Sequence, residues 1–115
     1  MRIVVAAALA LTMGCASASA ADKKGTRFWN LASVTISKLV MAPAGTEAYG
    51  KNQCENDKDG NVSPDERLKI TDIKTGSYDV KLTDQTGRVC TVRNVKVELD
   101  KVFSLEDGDL KDCTK

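Results

Sequence analysis

The chain has 115 residues, with 17 basic and 16 acidic side chains, four cysteines and no histidine. Without an imidazole there is no Ser-His-Asp or Cys-His relay, no histidine-ligated zinc site and no histidine pH switch. A near-neutral balance and an aromatic content of 4% also argue against nucleic-acid binding, which needs a clustered cationic surface.

Met1 and Arg2 give a short positive start, Ile3 to Met13 an apolar run, and Ala18-Ser19-Ala20 the small residues that a signal peptidase reads. The apolar run has eleven residues, against the roughly 20 that a transmembrane helix requires. Nothing later in the chain is apolar enough to span a bilayer. Residues 1–20 therefore read as a signal peptide and residues 21–115 as one exported, periplasmic domain. Gly14-Cys15 offers a rival reading, a lipoprotein acylated on Cys15. Thr12-Met13-Gly14 fits that signal poorly, because leucine usually stands three residues before the cysteine. The domain 21–115 is balanced, with 16 bases and 16 acids.

From here the chain reads as short strands between turn signals. Val34 and Ile36 alternate with polar residues, then the phase slips to Leu39 and Met41. A one-residue slip marks a β-bulge or a bend between sheets. Leu68 and Ile70 begin another alternation. Tyr78, Val80 and Leu82 give a clean one, closed by the hairpin signal Asp84-Gln85-Thr86-Gly87. Cys90 and Val92 follow, Asn94 marks a second slip, and Val95, Val97 and Leu99 resume. Phe103 and Leu105 form the last predicted strand. A sustained 3.6-residue period is missing after the signal peptide; a short helical turn is allowed only near Thr46–Lys51 or after Ser63. The fold class that follows is all-β, a small antiparallel β-sandwich or open barrel of roughly six to seven strands.

The most informative stretch is Glu55 to Glu66, with five acids and one base in twelve residues. Its spacing matches the EF-hand calcium loop, which places oxygen ligands at alternate positions, glycine at the sixth and a carboxylate at the twelfth. The candidate ligands are Glu55, Asp57, Asp59, Asn61 through its carbonyl, Ser63 and Glu66, with Gly60 at the sharp turn. Glutamate at the first position and the lack of flanking helices depart from that pattern. Ser63-Pro64-Asp65-Glu66 reads as a helix start, yet Arg67-Leu68-Lys69-Ile70 returns to strand alternation. The competing reading is a solvated connection, since Asp, Asn and Gly are what turns require. A second acidic run, Glu106-Asp107-Gly108-Asp109, reads as a turn after the last strand, or as carboxylates that complete a site with the first loop, within the chain or across a dimer.

With Cys15 set aside, Cys54, Cys90 and Cys113 remain for an oxidising compartment. A hairpin centred on Asp100-Lys101 would bring Cys90 opposite Lys111, two residues from Cys113. The expected disulfide is therefore Cys90–Cys113. Cys54 is left as an intermolecular link, a soft ligand or a half-buried thiol.

Several segments resemble one family. Phe28-Trp29-Asn30, Ala42-Pro43-Ala44-Gly45-Thr46, Tyr49-Gly50-Lys51-Asn52-Gln53, Asp65-Glu66-Arg67-Leu68, Tyr78-Asp79-Val80-Lys81-Leu82 and Phe103 to Leu110 with Cys113 are similar to small periplasmic β-sandwich proteins of proteobacteria. Some of those look like the landiscernin-type lanthanide-handling proteins of methylotrophs. The resemblance implies a β-sandwich in which the segment Val62–Ile70 enters a strand. It also adds a lanthanide to calcium as the cation expected at the acidic loop. Many members have Trp where Tyr49 stands and lack the full acid-rich loop.

Two functions follow as expectations. One is an exported binding protein for a hard cation, calcium or a lanthanide. The other is a non-catalytic structural or interaction module that meets a second copy or a periplasmic protein, with the acidic loop merely solvated. An enzyme is not expected: the chain has no G-x-S-x-G, no phosphate loop and no conspicuous nucleophile–base pair.

Overall fold

A computed structural model describes residues 25–115; the expected signal peptide 1–20 and Cys15 lie outside them. The strands are β1 (Arg27–Leu31), β2 (Ile36–Pro43), β3 (Arg67–Lys69), β4 (Gly76–Asp84), β5 (Val89–Val97), β6 (Val102–Glu106) and β7 (Asp112–Thr114). Five of them, β2 to β6, follow the alternation in the sequence; β1 and the three-residue β7 were not read from it. Two sheets result, one in the order β3-β1-β6 and one in the order β2-β4-β5-β7.

The inner faces of both sheets share one core. Phe28, Leu68, Phe103 and Leu105 come from the smaller sheet; Ile36, Leu39, Met41, Tyr78, Val80, Leu82, Cys90 and Val97 come from the larger. Phe28 and Phe103 lie on neighbouring strands with ring centroids 5.5 Å apart. Removing a fully buried Leu or Phe from such a core costs about 2–5 kcal/mol. Among the described residues, no helix is long and apolar enough to cross a membrane.

Both phase slips are bulges. The β2–β4 register shifts between Ile36 and Lys38. In the β4–β5 hairpin Tyr78 faces Val95 and Val80 faces Val92, so Asp79 opposes two residues, Arg93 and Asn94. Asn94 takes φ 56° there, a left-handed conformation that asparagine tolerates better than most residues. The hairpin turn is as predicted: Asp84 Oδ1 accepts from Thr86 N, Thr86 Oγ1 and Arg88 N, and Gly87 supplies φ 93°. At the start of β4 the Tyr78 hydroxyl accepts from Lys74 N and donates to Lys74 O, at 2.9 and 2.7 Å. One side chain thus ties down the loop that precedes its own strand.

The antiparallel hairpin expected between β5 and β6 is not formed. Instead β6 crosses to the smaller sheet and pairs parallel with β1, Phe28 opposite Phe103. The crossover has visible causes. Asp100 adopts φ 66° and donates its N–H to Thr26 Oγ1, while Arg27 N donates to Lys101 O. The chain is handed to β1 at that point. The expected bridge is present all the same, joining Cys90 to Cys113. It forms because β7 returns alongside β5 with the two cysteines directly opposite, not through a β5–β6 hairpin. Cross-linking across 23 residues restricts the unfolded chain and contributes about 2–4 kcal/mol in the loop-entropy picture.

Candidate functional site

The acidic loop begins in a 3-10 turn, Gln53–Asn56, slightly later than the helical turn allowed near Thr46–Lys51. Its anchors are side-chain amides. Asn52 Oδ1 accepts from Leu39 N and Cys54 N. Gln53 behaves as a piece of strand: Nε2 donates to Thr71 O at 2.8 Å and Oε1 accepts from Thr71 N at 3.0 Å. Further on, Val62 is buried and forms a two-way bridge with Ile36, at 2.9 and 2.8 Å. Asn30, fully buried, donates Nδ2 to both Val34 O and Val62 O and accepts from Ala32 N through Oδ1. The loop is therefore pinned at both ends to the edge of β2 and the end of β1.

Between those pins the carboxylates turn onto the chain itself. Asp57 Oδ2 accepts from Asp59 N at 2.9 Å, and Gly60, at φ 75°, donates to Asp57 O. Glu66 Oε1 accepts from Ser63 N at 2.7 Å while Glu66 N donates to Ser63 O. No helix starts at Ser63, because Asp65 stands at φ 70° and its N–H goes to Asn30 O. The Asp65 carboxylate accepts from Trp29 Nε1 at 3.0 Å, and the Arg67 guanidinium lies 4.1 Å over the Trp29 ring. Of the six candidate ligands, Glu55, Asp59 and Ser63 are exposed and Asn61 is half-buried. Among the described residues, no three Cys, Asp or Glu side chains cluster closely enough to hold a metal ion.

The second acidic run is the turn expected of it, a 3-10 turn over Asp107–Asp109. Asp107 Oδ1 accepts from Ser33 N and Ser33 Oγ, at 2.9 and 3.1 Å, clamping the β1–β2 connection. Asp109 Oδ2 accepts from Glu106 N.

Two carboxylates that composition did not single out are more deeply engaged. Asp79, in the β4 bulge, accepts from Gly45 N and Asn94 N and lies 3.4 Å from Arg93 Nη1. Those backbone N–H groups, with the guanidinium, hold its carboxyl below the usual carboxylate range. The Thr86 hydroxyl and the N–H groups of Thr86 and Arg88 do the same for Asp84. Cys54 is fully buried, with Sγ 3.8 Å from Ile36 O. Burial, aided by the Asp57 charge, pushes its thiol up to about 11. A sulfur so placed is neither an intermolecular link nor a soft ligand; it is core, more deeply set than the half-buried thiol that was the remaining expectation.

The outer face of the larger sheet carries a different kind of site. Register sets Lys38 beside Thr83, Val40 beside Lys81, and Thr83 beside Val89. The Tyr49–Asn52 segment folds over the β2 edge, with Gly50 N donating to Met41 O. An open cavity of about 600 Å³ lies between these elements, within the range of small-molecule sites. Lys81 Nζ stands 4.5 Å from the centroid of the Tyr49 ring. Its residues are scattered in sequence and meet only through sheet register. No protein family, no curated protein and no solved structure matches this chain.

Proposed function

We propose that this chain is an exported, non-catalytic interaction module in which the acidic loop is a structural connection. The observation that carries this reading is the use made of the loop carboxylates: Asp57 closes the Asp59 turn, Glu66 closes the Ser63 turn and Asp65 holds Trp29. Each commits one oxygen to a donor of the chain itself, as turn residues do. One surface left for a partner is the β6 edge of the smaller sheet. There β6 lies outermost and begins with the exposed apolar side chain Val102, just after the exposed Leu99. An unpaired strand edge is a template for a partner strand. The end of β2, by contrast, is covered by Gly50 and Val62.

The hard-cation reading stands second, favoured by the five acids crowded into Glu55–Glu66. It requires the loop to bring the second oxygens of Asp57 and Glu66 towards one point. Calcium or lanthanum added to chelator-treated protein during thermal unfolding separates the two readings. The module reading expects no shift in Tm with either ion. A cation at 100 times its dissociation constant would add about 2.7 kcal/mol, a rise of roughly 10 °C or more in a domain this small. Such a rise, lost in Asp57→Asn with Asp59→Asn, would replace the module reading with the cation one.

A further inference from the structure

The cavity on the outer face of the larger sheet is built from donors. Lys38 and Lys81 both line it and no carboxylate does. Neither lysine makes an ion pair with a carboxylate among the described residues. Other cations of this surface do: Arg93 faces Asp79, Arg88 faces Asp84 and Lys51 faces Asp72. A smaller cavity of about 410 Å³ nearby contains both Lys51 and Asp72, so its charges already answer one another.

Asn52 adds an independent pointer. Its Oδ1 is committed to two backbone N–H groups, Leu39 and Cys54, which fixes the orientation of the amide. The Nδ2 group, a donor only, has no acceptor among the described residues, and Asn52 is one of the residues that line the cavity. The Thr83 hydroxyl likewise has no partner among them. Between these donors lie Val40, Val89 and the Tyr49 ring, a floor and wall of carbon. Two ammoniums without a carboxylate partner, a free amide N–H and an apolar floor are complementary to a negative head on an apolar body.

We propose that this cavity binds a small amphiphilic anion, its anionic head held by Lys38, Lys81 and Asn52 and its apolar body against Val40, Val89 and Tyr49. This site is separate from the β6 edge, and its test leaves the reading of that edge untouched.

The probe is sodium octanoate, titrated into the isotope-labelled protein and followed through its backbone amide spectrum. The expected result is saturable shifts centred on Lys38–Val40, Gly50–Asn52, Lys81–Thr83 and Val89. Acetate, a head without a body, should bind at least tenfold more weakly, and octylammonium should leave these amides unmoved. Lys38→Glu should weaken octanoate at least tenfold; Lys38 is exposed, and the spectrum itself reports whether the variant is folded. Lys81→Met, which keeps the stem and removes the charge, should do the same. Unsaturable or dispersed shifts would overturn the proposal. So would equal response to octylammonium, acetate binding as tightly as octanoate, or a folded Lys38→Glu that binds octanoate unchanged.

Discussion

The acidic loop and the outer face of the larger sheet use charge in opposite ways. In the loop, five carboxylates stand within twelve residues, yet Asp57, Asp65 and Glu66 are bonded to Asp59 N, Trp29 Nε1 and Ser63 N. On the sheet, Lys38 and Lys81 stand 43 positions apart in the sequence and meet across one cavity with no carboxylate beside them. Density of charge along a chain thus says little about availability. A polar group is free to bind when the fold has given it no partner, and folding consumes the groups that are close in sequence first, because short turns reach them at little entropic cost.

The largest test of the comparison is to unpin the loop. Asn30 satisfies two carbonyls and one N–H from a fully buried position. Asn30→Ala should cost about 3 kcal/mol, since each buried group left unpaired costs about 1–3 kcal/mol. Urea unfolding gives the loss, and faster hydrogen exchange at Val62 and Ile36 would localise it to the loop anchor.

Next comes pH, which separates the engaged carboxylates from the rest. Asp79 and Asp84 titrate below their ordinary range in the folded protein. Their contribution is therefore present above pH ~4, the unfolded value for Asp, and disappears as pH falls through the lower folded values. Cys54 works in the other direction. Its thiol is raised from 9.0 to about 11, so stability should decline as pH rises across that interval, because the unfolded chain releases the proton first. Denaturation midpoints measured across both ranges check the two slopes, and Cys54→Ala should remove the alkaline one.

The smallest effect is expected on the sheet. Lys38 has no partner to lose, so Lys38→Ala should change stability by less than about 0.5 kcal/mol. A larger loss would mean that the lysine serves the fold rather than a ligand, and would erase the contrast with the loop.

What the sequence revealed follows the same division. Alternation reports which face a residue takes, so strands β2 to β6, both bulges and the Asp84–Gly87 turn were legible. Alternation does not report which strand lies alongside. For that reason the parallel β1–β6 pair was hidden, and Cys90–Cys113 was reached through a hairpin that does not form. The crossover depends on Asp100 N meeting Thr26 Oγ1, a contact across 74 residues with no local signature. Asn30, Asn52 and Gln53 escaped notice because polar residues read as surface, whereas here they take the place of missing strand partners. The Lys38–Lys81 cavity needed the β2–β4 register, and no count of charge along the chain supplies that.

The central claim, that the loop carboxylates are locks and not waiting ligands, can be tested by the sign of one free-energy change. Asp57→Ala with Glu66→Ala, unfolded by urea in the presence of a chelator, should lose about 2 kcal/mol, roughly 1 kcal/mol for each exposed turn bond to a charged acceptor. Carboxylates gathered to receive a cation would repel one another without it, and their removal would then leave stability unchanged or raise it. A double variant as stable as the parent, or more stable, would contradict the account.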